Sequence, residues 1–351
     1  MRPTLPVAAA FALVTSPALA ETPSVVVDTA PLHSLVARVM AGAGTPELLL
    51  PPGVSPHDAA LRPSDARHLS QADMVVWTGP ALVPWLAESL AALAPEAETL
   101  AMLDSDGWER LPLREDPAFE TAHGRGDAAH DDDHDAGEHE ETEGHGEASE
   151  YADHAEVPQD DHGDDHPPDD EMTQTDEHAG GDTDPHAWLD PQVAAAWMTR
   201  LAEALAEINP ENATLYRDNA AAAIAADADL SADISERLAS LSGLPYLVPH
   251  DAYQYFERRF GLPATGAVSL SDASAPGPAR LAALREMIEA GSITCILTDP
   301  ETPPDLVALL RENTQAKTAM ADPDGLRLEP GPDLYPALIE DLAAAFESCL
   351  G

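Results

Sequence analysis

Between Glu115 and Asp184 the chain carries 27 aspartates and glutamates against a single basic residue, Arg125, and shows no apolar period. A segment of that composition cannot bury enough apolar surface to offset its conformational entropy, so residues 115–184 are expected to form a long disordered loop. Any core must then be built from the blocks on either side. The loop supplies over half of the formal charge of -47. So negative a chain is repelled by nucleic acid and by anionic membrane surfaces, and its natural ligands are cations. The 44% of hydrophobic residues still allows a globular core outside the loop. A length of 351 residues accommodates two ordinary domains.

Both flanking blocks alternate short apolar runs with helical patterns, the signature of parallel α/β units. In the first, SVVVDT (24–29), ELLLP (47–51) and DMVVWTG (73–79) read as strands. LHSLVARVMA (32–41) and RPSDARHLSQA (62–72) read as helices between them, and after ALVPWLAESLAAL the pattern weakens. Beyond the loop, HAWLDPQVAAAWMTRLAEALAEI places Val193, Trp197, Leu201, Leu205 and Ile208 at helical spacing. A second helical stretch runs from Asn209 as cap, with Pro210 at its first position, to about Leu241. PYLVP, ATGAVSL and ITCILTD then read as strands interleaved with helices at YQYFERRF, PARLAALREMIEAG and DLVALLREN, before a C-terminal helix at LIEDLAAAFESC. The expectation is two α/β lobes with parallel sheets: 21–114 with 185–208 as the first, 242–351 as the second, joined by a bridging helix over 209–241.

The opening residues, MRPTLPVAAAFALVTSPALA, give Arg2, an apolar run through Val14 and Ala-Leu-Ala ending at Ala20. That is the pattern of a secretory signal over 1–20 with cleavage near Ala20; the apolar run is short of the roughly 20 residues a bilayer requires. Export gives a role to the only two cysteines, Cys295 and Cys349, since an oxidising compartment lets them close into a disulfide. Two separate buried thiols are the alternative.

In open α/β sheets, ligands bind beyond the carboxyl ends of the strands. Three histidines stand near such places: His57 after ELLLP, His250 directly after PYLVP, and His186 where the acidic loop meets HAWLDP. Singly, each reads as a loop histidine in a cap or core hydrogen bond, and the stretches between them exceed any local ligand motif. His33 and His68 read as surface or core residues.

The segment GVSPHDAALRPSDARHLSQADMVVWTGP resembles the first-lobe signature of the periplasmic metal-binding proteins that feed bacterial ABC importers. HAWLDPQ and HDAYQYFERRFGL match that family's second and third ligand segments. The His-rich acidic loop, a histidine in the third segment and the paired cysteines make the chain similar to the zinc branch, ZnuA-like. The resemblance runs from about Val25 to Cys349.

That resemblance implies two lobes with one metal ion between them, held by His57, His186 and His250. Three neutral imidazoles suit Zn2+ at roughly 2.0–2.1 Å, whereas manganese favours carboxylate oxygens. Pro56 stands where some zinc members carry a carboxylate before the first histidine, so the fourth position falls to water, with Glu301 in TDPETPP as a carboxylate alternative. A permease of an ABC importer, periplasmic zinc chaperones and a monomeric state are further implications, with no nucleic acid and no stable membrane insertion. A manganese-binding importer component, or a periplasmic zinc buffer or metallochaperone without an importer, are the alternatives. The loop histidines His123, His130, His134, His139, His145, His154, His162, His166 and His178 read as an auxiliary weak-binding tract, because a flexible segment loses entropy on every binding event. A secreted zinc hydrolase would need a general base beside an open metal position. With no H-E-x-x-H, no G-x-S-x-G and no Gly-rich phosphate loop, an enzyme is not expected.

Overall fold

The computed structural model describes residues 22–56, 59–114, 119, 183–269 and 276–351. The proposed signal, His57 and the nine loop histidines therefore lie outside the described residues.

The first block folds as β1 (Val25–Val27), α1 (Ala30–Val39), β2 (Glu47–Leu48), α2 (Pro63–Ser70), β3 (Met74–Trp77), α3 (Pro84–Leu93) and β4 (Glu98–Ala101). The strands form one parallel sheet in the order β2-β1-β3-β4, with Val26 opposite both Glu47 and Val75. After α4 (Pro191–Ile208) and α5 (Ala213–Leu238), the same plan recurs: β5 (Tyr246–Val248), α6 (Gln254–Phe260), β6 (Gly266–Ala267), α7 (Pro278–Glu289), β7 (Cys295–Thr298), α8 (Pro304–Arg311), β8 (Lys317–Met320) and α9 (Leu334–Leu350). Its strands lie in the order β6-β5-β7-β8, also parallel, so both halves share one strand order. Parallel neighbours require crossover connections, which is why helices alternate with strands and why Val25, Val26, Val27, Val75 and Val76 are buried on both faces.

Helices α2, α3, α4, α7 and α8 each begin on a proline, Pro63, Pro84, Pro191, Pro278 and Pro304, where the missing amide hydrogen costs nothing and the ring presets φ. Gly79, just past β3, has φ 138° and an ideal Cβ there would meet Leu103 at 3.3 Å, so the chain turns off the sheet where no side chain fits.

The strands β4 and β8 are absent from the sequence reading. Both are edge strands: ETLA buries only Leu100, and KTAM buries none of its four residues, so neither carries the apolar run that marks the inner strands. The bridging segment also differs in detail. Residues 210–212 form a 3-10 turn, and the α-helix begins at Ala213; Asn209 accepts the Tyr216 hydroxyl at 3.1 Å instead of capping an amide. With the 3-10 turn at 239–241, the helical rod is about 32 residues long.

That rod is fastened to both halves. Arg38 of α1 makes a bidentate pair with Asp227 at 2.7 and 2.8 Å, and Asn219 donates to the carbonyls of Val39 and Ala41. Near its other end Arg237 pairs with Glu340 and Glu347 of α9. Helix α9 in turn is tied to β7 by the disulfide Cys295–Cys349, with Cα atoms 5.5 Å apart, as expected of the two cysteines. One contiguous buried cluster runs from Val25 and Val75 through Trp188 and Trp197 to Val248, Leu297 and Phe346. A smaller cluster of Leu247, Val268, Leu284, Ile288, Ile296 and Leu310 lies under α7 and α8. Among the described residues no helix is long and apolar enough to cross a membrane.

Candidate metal site

Pro249 and His250 follow strand β5 and Asp299 follows the neighbouring β7, so sheet pairing delivers the two side chains side by side. His250 Nδ1 lies 3.0 Å from Asp299 Oδ2, with both residues buried. The turn after β7 holds that carboxylate still: Asp299 Oδ1 accepts from the amides of Glu301 and Thr302 and from the Thr302 hydroxyl.

His186 comes from the other side of the long insertion, one residue before the 3-10 turn Ala187–Leu189. Trp188 anchors that turn in the core, its indole donating to the Pro323 carbonyl at 2.9 Å. Asp190 then caps α4 by accepting the Gln192 amide at 2.8 Å. Asp184 Oδ1 accepts the His186 amide at 3.0 Å and stands 2.9 Å from its Nδ1. The two imidazole rings lie 5.7 Å apart, centroid to centroid.

The carboxylate partners decide the tautomers. An ionised carboxylate only accepts, so in each pair Nδ1 carries the hydrogen and the lone pair falls on Nε2. A carboxylate behind a histidine is the usual arrangement behind a metal-binding imidazole, because it orients the ring and raises its basicity. Two such histidines close together fit a divalent cation taken through Nε2. Among the described residues there is no group of three or more histidine, cysteine, aspartate or glutamate side chains placed to hold a metal. Of the three histidines expected to act together, the described residues bring His186 and His250 close.

Other residues singled out by the sequence fall as follows. His57 has no described position; the preceding Pro56 carbonyl accepts from the Trp85 indole at 3.3 Å. Glu301 is exposed on the turn after β7, where its backbone amide serves Asp299. His33 is buried, with Nε2 donating to the Pro46 carbonyl at 3.1 Å, and burial holds its pKa below the ordinary value. His68 sits near the surface, 3.3 Å from Glu47.

Sequence reasoning missed the carboxylates. Asp184 falls within the expected acidic loop, yet it is 1% exposed and bound to His186. The signal was local: an aspartate two residues ahead of an amide it can accept. Asp299 left no such trace, being paired across the sheet. Next to His250, Asp251 is also buried, and burial pushes its carboxyl up to about 7 against the opposing pull of Arg114. Arg114 Nη1 donates to Asp251 at 3.0 Å and Nη2 to the buried Glu257 at 2.7 Å.

Comparison with known proteins shows the family and the fold of the chain. The family model described as "ZnuA: Zinc-uptake complex component A periplasmic" matches residues 25–349. The chain is 37% identical to the high-affinity zinc uptake system protein ZnuA of Paracoccus denitrificans, covering 99% of this chain and 98% of that one. It is 35% identical to the protein of the same name from Brucella abortus, covering 94% and 92%. A solved structure titled "Crystal structure of ZnuA" superposes with a TM-score of 0.66 at 16% identity, over 93% of this chain and all of the other, which is a likeness of fold.

Proposed function

The chain belongs to the ZnuA family of periplasmic zinc-uptake components, and from that membership we propose that it captures Zn2+ as cargo between its two lobes and hands it to the permease of an ABC importer. Members of this family are transport components, and the chain is one of them and not an enzyme. The ligands in this reading are His57, His186 and His250, with water in the fourth position. The lobes are 21–114 with 185–208 and 242–351, braced by 209–241, and the histidine tract between His123 and His178 is an auxiliary weak binder. Cleavage near Ala20 releases the mature chain to the periplasm.

The observation that carries the reading is the pair of buried imidazoles 5.7 Å apart, each with Nδ1 held by a buried carboxylate. Neutral imidazole nitrogen suits Zn2+ better than it suits manganese, and the charge of the chain draws cations toward it. His186 belongs to the first proposed lobe and His250 to the second, which suits capture at a lobe interface. Zinc calorimetry on wild type and on His186→Ala tests it. The wild type is expected to show one tight equivalent that the variant lacks, and a variant that keeps it removes His186 from the site.

A further inference from the structure

We propose that the stem of the acidic insertion is a clamp that sets the spacing of His186 and His250, with Arg114 and Gln254 as its positioning residues; this rests on the reading of those two histidines as zinc ligands. The stem is the described chain on either side of the insertion, 111–114 and 183–184. Its two strands are joined by a single antiparallel bridge, Pro112 to Thr183, and by the Asp184 amide donating to the Leu111 carbonyl at 2.9 Å.

Asp184 Oδ1 also holds His186, and the other side-chain hydrogen bonds of the stem among the described residues go to the segment that carries His250. The Leu111 amide donates to the Tyr255 hydroxyl at 2.9 Å. Gln254 donates to the Pro112 carbonyl at 3.0 Å and to Asp184 Oδ2 at 3.3 Å, so one side chain holds both strands. Arg114 reaches Asp251, the residue after His250, and Glu257 three residues beyond Gln254. None of the contacts with that segment involves an imidazole. Yet the Asp184 carboxylate that Gln254 grips is the one that orients His186, and the aspartate that Arg114 grips adjoins His250.

The chemistry favours this use of the bonds. Asp251 and Glu257 are both buried, at 4% and 3% exposure, and would repel each other without the guanidinium fork between them and the stem. The cation therefore draws the stem onto α6, and with it the segment leading into His186. A metal site needs its ligands held to within about 0.5 Å, and ligand-bearing segments from different parts of a chain need such outside support.

The test uses the full chain with Arg114→Lys, which keeps the charge and loses the fork, and Gln254→Ala, which removes the tie without touching charge or core. Competition against a chelator is expected to show a loss of about tenfold in Zn2+ affinity in each, the low end for residues that support a ligand. In the metal-free protein, nitrogen-15 spectra of the imidazole rings are expected to show His186 shifted in both variants while His33 stays fixed, a signature that a uniform loss of stability does not produce. Wild-type affinity with unmoved His186 resonances in both variants overturns the clamp. If Arg114→Lys fails to fold, Gln254→Ala decides alone. His186→Ala serves as the control on the underlying reading: zinc bound as in wild type there overturns the ligand set itself, whatever the clamp variants do.

Discussion

His250 Nδ1 and Asp299 Oδ2 stand 3.0 Å apart and join the carboxyl ends of β5 and β7, the two inner strands of the second sheet. The first sheet joins its inner strands β1 and β3 at the corresponding place with a different pair, Asp28 Oδ2 accepting the Thr78 amide at 2.7 Å. Identical strand order puts a polar link at the same topological point in both halves. Asp28 is buried, and burial pushes its carboxyl up to about 6 even though the amides of Thr29 and Thr78 pull it down. Only the second link ends in an imidazole.

The Asp299 carboxylate is therefore expected to matter for zinc without touching it. Asp299→Asn keeps the shape but removes the charge that raises the basicity of the ring, and with its one oxygen taken by the Glu301 and Thr302 donors it turns an amide NH2 toward Nδ1. A loss of about 10- to 100-fold in Zn2+ affinity is expected, read by chelator competition, with the thermal midpoint of the metal-free protein little changed. Unaltered affinity would show that His250 does not depend on its partner.

The disulfide closes a separation of 54 residues between β7 and α9, and both cysteines are buried. In the chain-entropy account a loop of that length stabilises the fold by about 4 kcal/mol, acting on the unfolded chain. The double variant Cys295→Ala with Cys349→Ala is expected to lower the urea midpoint accordingly. Zinc affinity should hold, because Asp299 is fixed by its own turn and not by α9. A midpoint equal to wild type would mean the bond adds nothing to the packing of β7 against α9.

Much of this architecture was legible because inner parallel strands leave apolar runs: SVVVDT, DMVVWTG and ITCILTD each became a strand. ETLA and KTAM were silent because edge strands need bury little. His186 and His250 were found through the resemblance of the segments around them, since no spacing connects them. Their carboxylates were harder to see. Asp184 was masked by the composition of the loop it ends, and Asp299 meets His250 only through sheet pairing, which a reading of neighbouring residues does not capture.

The brace between α1 and α5 gives a prediction with a pH sign. Arg38 is paired bidentately with Asp227, whose side chain is 3% exposed. Burial raises the Asp227 pKa above the ordinary value, and Arg38 pulls it back. A raised carboxylate pKa means that the group's contribution to stability is present below its unfolded value of about 3.9 and is lost as pH rises through the folded value. Removing the cation by Arg38→Met deepens that loss, so destabilisation of about 3–5 kcal/mol is expected near neutral pH, shrinking on acidification. Arg38→Met combined with Asp227→Leu should recover much of it. Denaturation curves at several pH values check both; a penalty that grows toward acid would contradict the assignment of burial as the cause.

The histidine tract and the cleft should separate when the tract is removed. The two are proposed to use different histidines, nine between His123 and His178 against His57, His186 and His250. Deleting residues 124–181 leaves Arg114, Thr183 and Asp184 in place, so the stem contacts to Tyr255, Gln254, Asp251 and Glu257 can still form. The deletion is therefore expected to abolish the weaker zinc equivalents and to keep the tight one. Only neutral imidazole ligates, so the weak equivalents of the full chain should fade as pH falls through about 6.5, while three ligands held in place compete with protons better and keep metal to lower pH. Zinc calorimetry on both forms at about pH 7.5 and about pH 6 reads this directly. The same stoichiometry in the two forms would show that the tract binds no zinc. Loss of the tight equivalent on deletion would show instead that the insertion contributes a ligand to the cleft, and that His57, His186 and His250 are an incomplete set.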